Sequence, residues 1–221
     1  MNEPEDVQSL PPVYLIADRA TCAPRNLEDV LAEALDAGVR LVQLREKHLE
    51  MRELRQLAAR LQRRVSHYEA RLLVNTHAGL ARDIGAAGVH LPSSGPAPWR
   101  IRRQYGDRML IGRSTHNRKE CGEADGANFV TFSPIYSPNS KPGYGPGVGP
   151  RALRPVTEGS SLPVYALGGI TPRRVAACKR NGAAGIAVMS GVLAAGHVGS
   201  AARAYLEAWA SAPGPRLPQL S

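Results

Sequence analysis

The chain has 221 residues, of which 43% are hydrophobic and 21% charged. That balance excludes a disordered chain, and the length is enough to bury a core without disulfides. Lysine and arginine total 28 against 19 acidic residues, a formal net charge of +9. This raises nucleic-acid binding, but aromatic residues are only 5% and do not alternate with the basic ones, so no base-stacking surface is expected. Cys22, Cys121 and Cys178 have no paired spacing, which excludes a disulfide framework or zinc knuckle and suits a reducing cytoplasm. No apolar run has the length of a membrane span, and the N-terminus lacks a signal-peptide pattern.

Short apolar runs recur in chain order at 13–17, 41–44, 72–74, 88–91, 109–112, 129–132, 164–167 and 185–188. None alternates with polar residues, so each reads as a strand covered on both faces, as in parallel sheets. Amphipathic stretches lie between them. The stretch 26–37 carries Leu27, Val30, Leu31, Ala34 and Leu35 on one stripe, with Asn26 placed as an N-cap and Gly38 as the C-terminal turn. The stretch 51–65 carries Leu54, Leu57, Ala58, Leu61 and Val65, and sets Arg52, Arg55, Arg60, Arg63 and Arg64 on a solvated face. A helix end, a glycine turn and a buried strand follow one another at Gly38, Gly85, Gly126 and Gly182. Such repetition favours a single (β/α)₈ TIM barrel over residues 11–211 rather than an open doubly wound sheet. Residues 1–10 and 212–221 are expected to be loose tails, with no second domain.

In a barrel the active site is built just past the C-terminal strand ends. After the second strand comes Gln43-Leu44-Arg45-Glu46-Lys47, whose alternation sets Gln43, Arg45 and Lys47 on one side. An amide and these cations suit a phosphate or diphosphate, although alone they would read as surface ion pairs. Asn75-Thr76-His77 follows the third strand. His90, in the fourth, reads as a hydrogen-bonded core histidine. No metal-ligand spacing joins these histidines. Gly112-Arg113-Ser114-Thr115-His116 ends the fifth strand and places His116 where an imidazole can exchange protons; a capping role is the plainer reading. The segment 133–147, rich in Gly and Pro and carrying Ser140 and Lys141, reads as a lid. Gly168-Gly169 and Ser190-Gly191 end the last two strands. Either pair alone reads as a packing turn, but together they favour phosphate binding by backbone N–H groups.

With these motifs in order, the chain resembles the thiamine-phosphate synthase/thiazole tautomerase superfamily from Val13 to about Trp209. Its marks are Gln43-Leu44-Arg45-Glu46-Lys47, Leu73-Val74-Asn75, Gly88-Val89-His90-Leu91, Gly112 to His116, Ser133-Pro134-Ile135-Tyr136, Gly168 to Pro172 and Val188-Met189-Ser190-Gly191. The synthase resemblance implies joining of hydroxymethylpyrimidine diphosphate to a thiazole phosphate with Mg2+. Pyrimidine and diphosphate contacts then fall on Gln43, Arg45, Lys47, Asn75, Ser114 and Lys141, and thiazole-phosphate contacts on Ser140, Gly169, Val188 and Ser190. The synthase pattern has magnesium-holding aspartates after the third and fourth strands, where this chain has Thr76 and Leu91-Pro92-Ser93-Ser94. Magnesium favours hard, anionic oxygen ligands, so these departures fit the tautomerase branch. That resemblance implies proton-transfer aromatisation of a carboxythiazole phosphate, no required cofactor or metal, and His116 as the acid–base group. The expectation is thus a cytoplasmic thiazole tautomerase, with the synthase as alternative and a non-catalytic thiazole-phosphate binder third. The expected partner is a small phosphorylated thiazole, with neither nucleic acid nor membrane; a homo-oligomer is compatible with the sequence.

Overall fold

The computed structural model describes residues 10–137 and 146–215. Eight parallel strands, β1 (Val13–Ala17), β2 (Leu41–Leu44), β3 (Arg71–Asn75), β4 (Gly88–Leu91), β5 (Leu110–Thr115), β6 (Phe129–Phe132), β7 (Val164–Leu167) and β8 (Gly185–Val188), close in chain order. Closure is by β8 on β1, with Tyr14 opposite Ala187. Helices follow the strands, among them Leu27–Asp36, Met51–Ser66, Pro98–Tyr105, Arg118–Gly122 and Pro172–Arg180, and the chain returns as Val198–Ser211. The molecule is a (β/α)₈ TIM barrel.

Each strand is buried on both faces because its alternate side chains enter different cores. Outward residues such as Leu15, Val42, Val74 and Val89 meet the helix stripes Val30-Leu31-Ala34-Leu35 and Leu54-Leu57-Ala58-Leu61. Inward residues Tyr14, Ile16, Leu41, Leu73, Leu110, Phe129, Tyr165 and Ala187 fill the barrel. This two-sided burial is what turned the strand pattern into continuous apolar runs. Asn26 accepts from the Glu28 N–H at 2.7 Å and so caps the first long helix. Gly38 ends it at φ +110°, with its N–H on Leu35 O and that of Val39 on Ala34 O. A side chain resists that left-handed backbone, which is why glycine recurs at this turn.

The fold differs from expectation in places. β5 continues past 112 through Thr115, because its polar residues find partners: Thr115 Oγ1 donates to Thr131 O at 3.0 Å. Ser114 therefore lies in the strand and faces the barrel interior, sharing the inward face with Leu110. Leu10, expected in a loose tail, packs beneath the inner cluster, and Tyr165 Oη donates to Pro11 O at 2.9 Å. Residues 1–9 and 216–221 of the expected tails lie outside the described residues. The arginines of Met51–Ser66 do keep to its solvated side, where pairs such as Arg60–Glu28 (2.7 Å) contribute about 0–1 kcal/mol. Among the described residues no helix is long and apolar enough to cross a membrane.

One inward residue lacks a partner. Thr131 is fully buried and its hydroxyl makes no hydrogen bond. Such a group carries an uncompensated desolvation cost of about 1–3 kcal/mol. Thr131→Val keeps the shape and removes the hydroxyl, so it is expected to raise stability by about 1 kcal/mol. Urea unfolding checks this; a destabilised variant would show that the hydroxyl has a partner after all.

Candidate functional site at the barrel mouth

Four strands contribute to one buried polar chain below the mouth. Gln43 Nε2 donates to Tyr14 Oη at 2.8 Å. Tyr14 Oη lies 3.2 Å from His90 Nδ1, and His90 Nε2 lies 3.0 Å from Ser114 Oγ. Gln43 and His90 are 2% and 3% exposed, whereas Ser114 is half-buried at the top of the chain. Phe129 packs edge-on to Tyr14 with ring centroids 5.4 Å apart, and Tyr165 lies 6.2 Å away. Loss of hydration, followed by the charges of Arg45 and Arg113, pushes the His90 pKa down to about 3. Its imidazole is neutral at physiological pH. His90 is thus a hydrogen-bonded interior histidine, as its sequence context indicated.

The cationic rim stands beside this chain. Arg45 follows β2, half-buried, with its N–H on Ala17 O at 2.9 Å, and Lys47 is exposed two residues on. Asn75 ends β3 and donates through Nδ2 to Thr76 Oγ1 at 2.9 Å. Thr76 itself has φ +69°, an uncommon and strained state for a β-branched residue. Arg113 projects outward from β5 and donates to the carbonyls of Ser93 (2.7 Å), Pro96 (2.8 Å) and Gly95 (3.2 Å). It pins the loop after β4.

The loops after β3 and β4 do not suit a magnesium ion held by protein carboxylates. Thr76, Ser93 and Ser94 offer neutral hydroxyls, Asn75 offers only a neutral amide oxygen while its Nδ2 donates to Thr76, and a guanidinium occupies the Ser93 carbonyl. Among the described residues no cluster of three His, Cys, Asp or Glu could hold a metal ion. The cysteines offer no nucleophile either. All three are buried, which raises their pKa values, that of Cys178 to about 12.

His116 directly follows β5 and is exposed. Its Nδ1 lies 2.9 Å from the Ser133 carbonyl. A carbonyl only accepts, so neutral His116 carries its proton on Nδ1 and keeps a lone pair on Nε2. Capping of Arg118–Gly122 falls to Asn117, which accepts from the Glu120 N–H at 2.9 Å. From Ser133 the chain runs along the rim to the β7 turn: Ile135 N–H donates to Leu167 O (2.8 Å) and Tyr136 N–H to Gly168 O (3.0 Å). His116 and the glycine turn therefore share one rim, two strands apart.

Gly168 and Gly169 have φ of +103° and +57°. Arg174, from Pro172–Arg180, donates to Gly169 O at 2.6 Å and stacks 4.4 Å over the Tyr136 ring, clamping the β6 and β7 loops together. After β8, Ser190 and Gly191 are exposed and open a short helix, Ser190–Leu193. Packing accounts for the Gly191 position: a Cβ there would meet Tyr205 Oη, which is tied to Ile170 O at 2.9 Å. Val188, the last residue of β8, is 3% exposed with its side chain in the outer core, so a contact there would fall to its backbone. Ser140 and Lys141 lie outside the described residues. Sequence reasoning did not single out Tyr14, Arg113 or Arg174. For Tyr14 a signal existed: its position two residues before Ile16 puts both on one face of β1.

The sequence model of the family described as thiamine monophosphate synthase matches residues 13–192. A protein of Aquifex aeolicus named "Putative thiamine-phosphate synthase 2" is 40% identical over 183 residues, covering 82% of this chain and 97% of that protein. A thiamine-phosphate synthase of Geobacillus thermodenitrificans is 38% identical over 210 residues, covering 92% and 94%. Among solved structures, the thiamine phosphate pyrophosphorylase from Pyrococcus furiosus superposes with a TM-score of 0.80 at 26% identity, covering 90% of this chain and 95% of that one. None of these names points to a tautomerase, which the sequence reading had placed first. The match of the family model over most of the chain and the relatives' identities give one conclusion: the chain belongs to the thiamine monophosphate synthase family.

Proposed function

We propose that the chain is a transferase, a thiamine-phosphate synthase that joins hydroxymethylpyrimidine diphosphate to a thiazole phosphate. The observation that carries this is the Gln43–Tyr14–His90–Ser114 chain lying beside Arg45, with Lys47 exposed two residues on. A floor of amide and hydroxyl groups suits a flat nitrogen heterocycle, and cations at its edge suit a diphosphate attached to it. The thiazole ring nitrogen forms a bond to the pyrimidine methylene carbon, the carbon–oxygen bond to diphosphate breaks, and diphosphate leaves. Arg45 and Lys47 stabilise the charge that grows on the leaving group. Gly169 and Ser190 supply backbone N–H groups to the thiazole phosphate across the mouth.

A second reading, the thiazole tautomerase, rests on the hydroxyls at Thr76 and Ser93 and on the Nε2 lone pair of His116. There one imidazole would carry a proton from ring carbon to exocyclic carbon. Purified protein supplied with both synthase substrates, with and without magnesium, and separately with the carboxythiazole tautomer, distinguishes the readings. The synthase predicts thiamine phosphate and free diphosphate, with His116→Ala losing less than about tenfold, whereas an acid–base His116 would lose roughly 10²–10⁴-fold. Aromatisation without coupling would overturn the synthase. Turnover in neither assay, with thiazole phosphate still bound, would make the protein a non-catalytic binder.

A further inference from the structure

We infer that Tyr14 and His90 are positioning residues that fix the direction of the buried hydrogen-bond chain, so that the Ser114 hydroxyl faces the mouth as a donor. The protons along the chain can be counted from Gln43 upward. A carboxamide nitrogen only donates, so Tyr14 Oη, 2.8 Å from Gln43 Nε2, accepts there. The single tyrosine proton is then the one shared with His90 Nδ1 at 3.2 Å. A neutral imidazole that accepts at Nδ1 carries its hydrogen on Nε2, and that hydrogen is given to Ser114 Oγ at 3.0 Å. The hydroxyl proton of Ser114 cannot point back along the chain. It is left for a ligand.

The opposite direction needs the Gln43 amide turned, the His90 proton on Nδ1 and Ser114 donating inward. Electrostatics decides between them. Arg45 follows Gln43 by two residues on the same face, so the orientation with nitrogen on Tyr14 leaves the amide oxygen for the cationic rim. The reverse sets amide hydrogens against it. The interior is shaped for this arrangement: a Cβ at Gly112 would lie 2.4 Å from His90 Nδ1, so only glycine leaves room for the ring there. Phe129, with its centroid 5.8 Å from that of His90, closes the same space, since that Cβ would also lie 2.6 Å from Phe129 Cζ.

The consequence is a rule of specificity, which rests on the synthase reading for the identity of the ring. The group over Ser114 must be an acceptor, such as an unprotonated ring nitrogen. A ring presenting C–H or N–H at that point leaves the hydroxyl unpaired and is discriminated against by about tenfold or more.

Histidine-selective ¹⁵N NMR of the full chain tests this without any substrate. The expected wild-type His90 pattern is a protonated Nε2 with a bare Nδ1, unchanged between pH 8 and pH 5. Tyr14→Phe is expected to lose that fixed pattern and to raise KM for the pyrimidine diphosphate about tenfold, the size of one hydrogen bond, with a smaller change in kcat. A proton on Nδ1 in the wild type overturns the inference, as does a Tyr14→Phe variant with unchanged pattern and KM. A protein that turns over no pyrimidine substrate, yet shows the Nε2–H pattern and its loss in Tyr14→Phe, overturns the synthase reading and supports the fixed direction.

Discussion

Gly169→Ala is expected to lower kcat/KM for the thiazole-phosphate substrate by about 10²-fold while the barrel stays folded, the cost of displacing a bound group by roughly 1 Å. The reason lies in the turn after β7. Gly169 has φ +57°, and a Cβ on it would sit 2.8 Å from Ser137 O, 2.9 Å from Tyr136 Cβ and 3.0 Å from Tyr136 O. Backbone atoms of Ser137 and Tyr136 cannot swing aside as a flexible side-chain end would. The turn itself must shift, and the Gly169 N–H shifts with it. Its carbonyl is held by Arg174, so the displacement also loosens the stack of Arg174 on Tyr136. Steady-state kinetics against each substrate separates the effect. The loss should appear in the thiazole phosphate and leave the KM of the pyrimidine diphosphate within about threefold, well under 1 kcal/mol. Equal losses for both substrates would place the thiazole phosphate elsewhere.

The second large effect is on stability. Gly112→Ala is expected to cost about 3 kcal/mol, the upper part of the range for overpacking a well-filled core. A Cβ there meets His90 Nδ1 at 2.4 Å and Phe129 Cζ at 2.6 Å, inside the closed barrel. Neither ring can retreat, because Phe129 is packed against Tyr14 and Tyr165, with centroids 5.4 Å and 5.2 Å away. At roughly 2–4 °C per kcal/mol for a domain of this size, the melting temperature should fall by about 10 °C. Calorimetry of the pure variant gives the answer, and a melting point within about 2 °C of wild type would contradict the packing described.

Much of this architecture is legible in the residues because two-sided burial is a strong constraint. Leu41–Leu44 and Gly88–Leu91 stand out as apolar runs since each must meet helices outside and a filled barrel inside. The glycine before the next strand stands out for a different reason, the left-handed turn at Gly38 and its repeats. What stays hidden is polar burial. The end of β5 looks like a loop because Arg113, Ser114 and Thr115 are polar, and only their partners, in the loop after β4 for Arg113 and on β4 and β6 for the other two, explain their place in the sheet. Tyr14 looks like one more core aromatic; its hydroxyl matters only once Gln43 and His90, far apart in sequence, meet it. The strained Thr76 cannot be seen without a backbone. The tautomerase reading gave most weight to Thr76 and the Leu91–Ser94 departure. The cationic rim at Arg45 and Lys47, and the names carried by relatives over most of the chain, favour the synthase instead.

A substrate phosphate is expected to be held by backbone N–H groups after β7 and β8, on the rim that also carries His116. Amide NMR of the ¹⁵N-labelled protein titrated with thiazole phosphate addresses it most directly. Saturable shifts of the Gly169 and Ser190 amides, centred there and fading toward the foot of the barrel, are the predicted result. Silence at both amides, with shifts confined to the arginines of Met51–Ser66, would contradict it.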